Sequence, residues 1–94
     1  MSQETERVKI DIFGHLYTVR AQTSPEQVER LARIVDEKMN ELFEQNPRLD
    51  LSTLAVLTAL NLAEAYDAVL TEYKALLDAL EIEARHELSQ DSES

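Results

Sequence analysis

From Asp50 to about Ser89 the chain contains neither proline nor glycine, and this stretch limits the fold more than any other feature. Asp50 or Ser52 can cap a helix start, so one unbroken helix of about forty residues is expected. At ~1.5 Å per residue it reaches on the order of 55–60 Å. No head built from the rest of a 94-residue chain is that wide, so the helix is expected to leave it as a stalk.

The two halves of this helix carry different patterns. From Leu54 to Leu62 apolar residues lie almost all round, which reads as a helix buried in a head. From Tyr66 a seven-residue period takes over. Tyr66, Tyr73 and Leu80 share one seam position, Leu62, Val69 and Leu76 the other, and Leu70, Leu77 and Ala84 flank them. Burying each large stripe residue contributes ~1.5–3 kcal/mol before ordering costs, against ~0.3–0.5 for an exposed ion pair on the same helix. Burial of the stripe decides, and only another chain can supply it. Its width suits more than one neighbour, so a tetramer is expected rather than only a dimer. The oligomerisation residues are Leu62, Tyr66, Val69, Leu70, Tyr73, Leu76, Leu77 and Leu80. Asn61, inside the apolar run, reads as a satisfied polar group buried in the head or as a determinant of partner geometry.

Upstream lies a smaller α+β head. Val8, Ile10 and Ile12 alternate with Lys9 and Asp11, and Tyr17 and Val19 alternate with Thr18 and Arg20, as two half-buried strands do. Gly14-His15 suits a two-residue type II′ loop between Phe13 and Leu16. That register pairs Ile12 with Tyr17, Ile10 with Val19 and Val8 with Ala21, and places Lys9 opposite Arg20. Ser24, Pro25 and Gln27 form a helix start with a capping box. Val28, Leu31, Ala32, Val35, Met39 and Leu42 then recur at helical spacing until Asn46-Pro47 ends the helix. The expected division is a flexible N-terminus (1–6), a head (7–63), a coiled-coil stalk (64–89) and a flexible C-terminus (90–94). A hairpin and helix therefore pack on the start of the long helix, in an oligomer.

Composition narrows the function. Nine cations stand against 19 anions, for a net charge of −10, which disfavours nucleic acid and anionic membrane as partners. Residues 1–50 hold seven of the cations, so an acidic partner should meet the first half. The longest uncharged run, Leu51 to Ala63, is shorter than the ~20 residues of a membrane span. The polar opening MSQETE shows no export signal, so a cytoplasmic location is expected. There is no cysteine, and His15 and His86 lie far apart, so neither a disulfide framework nor a metal site within one chain is expected. No nucleophile has a base at useful spacing and no glycine loop can cradle phosphate, so no catalytic residue and no cofactor is assigned.

The segments Val8-Lys9-Ile10-Asp11-Ile12-Phe13-Gly14 with Tyr17 following, Ser24-Pro25, Val35-Asp36-Glu37-Lys38-Met39, Asn46-Pro47-Arg48 and Leu54 to Ala63 occur in one order and spacing. Together they resemble ZapA, the bacterial family associated with the division-ring tubulin homologue FtsZ. The resemblance implies a small head on a coiled-coil stalk and dimers that pair into tetramers. It also implies binding and side-by-side linkage of FtsZ filaments, stabilising the ring at mid-cell. The family's FtsZ contacts are charged, mostly basic head positions that include the hairpin turn. The matching positions here are His15 and Thr18, neither a fixed cation, while Lys9, Arg20, Arg33 and Arg48 are available head cations. A generic coiled-coil adaptor with another protein partner is the alternative.

Overall fold

The computed structural model describes residues 6–93, with side chains described through Glu87. The elements run β1 (Glu6–Ile12), β2 (His15–Ala21), α1 (Pro25–Gln45) and α2 (Leu51–Glu93), an α+β arrangement of one antiparallel hairpin and two helices. The expected loose N-terminus lies outside the described residues, except that Glu6 already opens β1. At the other end α2 continues for 43 residues to Glu93, beyond the stop expected near Ser89. Polar residues without proline or glycine do not interrupt the backbone hydrogen-bond ladder. The chain divides into two units, one ending at Asn61 and one starting at Leu62.

The hairpin register differs from expectation by two residues. The observed pairs are Val8 with Val19, Ile10 with Tyr17 and Ile12 with His15, and the loop is Phe13-Gly14. Both loop residues have positive φ, 54° at Phe13 and 75° at Gly14, which is a type I′ turn rather than type II′. A Cβ added at Gly14 would meet nothing within 4 Å, so backbone conformation and not space requires glycine there. A left-handed phenylalanine costs about 1–2 kcal/mol. Two contacts with α1 offset it. The Phe13 N–H donates to Asp36 Oδ1 at 2.7 Å, and the Phe13 ring stands edge-on to Phe43 with centroids 5.3 Å apart. A hydrogen bond to a carboxylate contributes about 1.5–3 kcal/mol and an aromatic pair about 0.5–1.5, so the tertiary contacts win. Because the shift is two residues, each side chain keeps its expected face.

Helix α1 begins as its sequence implies, with Ser24 as N-cap and Pro25 in the first turn. The Gln27 N–H donates to Ser24 Oγ at 3.2 Å. The capping box is only half made, since Gln27 Oε1 accepts from the Arg30 guanidinium at 2.8 Å. Asn46 closes the helix with its N–H on the Leu42 carbonyl. Asp50 caps α2, its Oδ1 accepting from the Thr53 N–H at 2.8 Å. That cap and the Thr53 side chain hold the Asp50 carboxyl below the usual carboxylate range, the side-chain hydrogen bond first.

The core of the first unit is Val8, Val28, Ala32, Met39, Leu54 and Thr58. Leu31 and Ile34 of α1 stay exposed. Leu54 is 1% exposed and Thr58 3%, the Thr58 hydroxyl donating to the Leu54 carbonyl at 2.7 Å. Asn61 is half-buried, and its amide donates to the Leu57 carbonyl at 3.0 Å. The expectation that Leu54–Leu62 is buried all round is corrected. Val56 is 59% exposed and Leu60 57%, because one hairpin and one helix can cover only one side of α2.

Candidate functional site

The hairpin presents two unlike faces. Inward lie Val8, Ile10, Ile12, Tyr17 and Val19, with His15 and Ala21 on the same side by register. Outward lie Arg7 opposite Arg20, Lys9 opposite Thr18, and Asp11 opposite Leu16. Arg7 takes the place opposite Arg20 that was expected of Lys9. Like charges directly opposite destabilise a pair by roughly 0.2–1 kcal/mol. No ion pair among the described residues relieves Arg7, Lys9 or Arg20. Leu16, among these cations, is 78% exposed.

Of the predicted partner-binding residues, Lys9, Thr18 and Arg20 therefore share one face. His15 lies on the other face of the hairpin, opposite Ile12. Arg33 lies elsewhere, in a groove of about 230 Å³ lined by Ile10, Asp11, Glu29, Ala32 and Asp36. Arg48 sits in the turn after α1, its N–H on Asn46 Oδ1 at 3.3 Å. The six do not form one patch. Arg7 and Leu16 were missed because the two-residue change of register alone brings them beside Arg20 and Asp11.

The inward face is incompletely covered. An apolar cavity of about 420 Å³ is lined by Ile10, Ile12, Tyr17, Val19, Met39 and Leu51, among others. In the second unit the stripe is uncovered. Tyr66 is 69% exposed and Leu76 59%, and Val69, Tyr73, Leu77 and Leu80 are exposed too. Leu62 and Leu70 are half-buried. Ile82, outside the stripe, is a further exposed apolar side chain that the heptad count does not include.

The family model for "Cell division protein ZapA" matches residues 8–93. The chain belongs to the ZapA family. It is 45% identical over 78 residues to the cell division protein ZapA of Geobacillus sp. (strain WCH70), covering 83% of this chain and 90% of that one. To the cell division protein ZapA of Oceanobacillus iheyensis it is 38% identical over 81 residues, covering 85% and 94%. Among solved structures, a ZapA mutant dimer from Geobacillus stearothermophilus superposes with a TM-score of 0.68 at 39% identity, covering 85% of this chain and 93% of that one. Membership of the ZapA family thus agrees with the resemblance carried by residues 8–63, and the match extends along α2.

By length and composition alone, α2 over Leu51–Glu87 is apolar enough to cross a membrane. The thirteen-residue uncharged run did not anticipate this, because a window that tolerates Glu64 and Asp67 is longer. Each such carboxylate at a bilayer centre costs about 2.5–3.5 kcal/mol. Leu54 and Thr58 are also buried within the first unit. Both facts fit a helix in water.

Proposed function

We propose that this chain binds FtsZ and cross-links its filaments, acting in the cytoplasm at the mid-cell division ring without catalysing a reaction. Its copies associate through the α2 stripe, dimers pairing into tetramers, and each copy contributes one head to the filament. The observation that carries the reading is the row of large apolar side chains left exposed from Tyr66 to Leu80. Water-exposed apolar area on this scale marks an association surface. Linking several weak heads raises their effective concentration at a filament without any new contact. The exposed head cations give an acidic filament a complementary surface within a chain of net charge −10.

Leu76→Glu and Leu77→Glu test the reading. Each is expected to leave the head folded, split the assembly in analytical ultracentrifugation and abolish bundling of purified FtsZ in a pelleting assay. A split assembly that still bundles filaments normally would refute the mechanism.

A further inference from the structure

We propose that the free edge of β2 is a docking site for an extended acidic segment of a protein partner, which adds to the hairpin as a third strand. The inference deepens the filament-binding reading and rests on it only for which protein supplies the segment.

Backbone geometry comes first. In a hairpin closed by a two-residue loop, the pair beside the loop exchanges both ladder hydrogen bonds, and the pattern alternates from there. Ile12 and His15 are that pair, so the N–H and C=O groups of Leu16, Thr18 and Arg20 point away from β1. The sheet has two strands, and no other described strand meets this edge. The β1 edge differs, since α1 accompanies it and Glu29 and Asp36 line the groove there. An incoming acidic strand would meet carboxylates at β1 and none at β2.

The side chains agree with the backbone. The residues with free edge groups carry Leu16, Thr18 and Arg20 on the outward face, beside Lys9 and Arg7. A strand added at β2 would place alternate side chains in line with this face. Acidic groups there would relieve the Arg7–Arg20 repulsion, and an apolar one would cover Leu16, 78% exposed. Such addition takes affinity from main-chain hydrogen bonds and specificity from alternate side chains. A second copy of β2 would instead bring three more cations to the face, so charge favours the acidic segment.

The test uses amide nitrogen-15 spectra of the full chain titrated with a short synthetic peptide alternating glutamate with valine. The lysine–valine analogue is the control. Saturable shifts at the Leu16, Thr18 and Arg20 amides are expected with the glutamate peptide only. Thr18→Pro removes an edge donor without touching the hairpin ladder. It and Arg20→Glu should each weaken binding by about tenfold or more, Leu16→Ser by less, and Lys74→Glu on α2 hardly at all. If Thr18→Pro loses the hairpin, Arg20→Glu and Leu16→Ser carry the comparison. Shifts elsewhere, no glutamate preference, or concentration-dependent broadening of these amides without peptide (pairing of two copies) would each overturn the proposal. Pelleting of the wild-type chain with FtsZ is measured in parallel. Failure there with success in the titration removes the filament reading and leaves the edge site standing.

Discussion

The two units solve the same problem in opposite ways. In the first, which ends at Asn61, a hairpin and α1 fold over one side of α2 and bury Val8, Val28, Met39, Leu54 and Thr58. In the second, from Leu62 on, Tyr66, Val69, Tyr73, Leu76, Leu77 and Leu80 have no element of their own chain to cover them. The first unit is stabilised by contacts it carries with it. The stripe of the second is stabilised by concentration, since what covers it must arrive from elsewhere. The lesson is that one continuous helix can serve two functions, and its apolar surface alone does not tell them apart.

The comparison breaks most visibly at the stripe. Leu76→Glu combined with Leu77→Glu forfeits about 1.5–3 kcal/mol at each site, and should weaken association by two orders of magnitude or more. Sedimentation equilibrium over a dilution series reads the loss directly. The first unit should keep its far- and near-ultraviolet circular dichroism.

Leu54→Ala addresses the other unit. At 1% exposure this side chain is fully enclosed, and its truncation should cost about 2–5 kcal/mol. Urea denaturation, with amide exchange resolving the hairpin and α1, should show the head opening. Leu80→Ala at equal dilution should leave head exchange unchanged, and equal effects of the two would erase the distinction.

Asp36→Ala removes the acceptor of the Phe13 N–H and should destabilise the head by about 1–3 kcal/mol. The change should concentrate at the turn amides. Asp36→Asn retains a carbonyl oxygen and should cost less.

The smallest effect concerns pH. The Asp50 carboxyl is held below its ordinary pKa by hydrogen bonds from Thr53, side chain first. A depressed folded-state pKa contributes stability that is present above the ordinary value and fades as pH falls through the lower one. Thermal melts across the acid range should therefore show a shallower decline for Asp50→Asn than for the wild type. Parallel slopes would remove Asp50 from the acid response.

Much of this was legible in the residues. Alternation in Val8–Ile12 and Tyr17–Val19 assigned hairpin faces correctly, and Ser24-Pro25 and Asn46-Pro47 marked both ends of α1. The register was not legible, because its deciding energy lies in Asp36 and Phe43, on a helix that follows the hairpin. A local turn rule sees Gly14 and cannot see those partners. Burial along Leu54–Leu62 was misread for a related reason. Composition reports that a helix is apolar all round, whereas Val56 and Leu60 are covered only if something exists to cover them. Arg7 and Leu16 joined the candidate surface only once the register was known.

The clasp between Phe13 and Asp36 also orders events in time. The loop conformation it favours has no support until α1 is in place, so the hairpin emerging during synthesis lacks the reason to choose its final pairing. Strand alignment is then a late step, completed when the following helix arrives to select it.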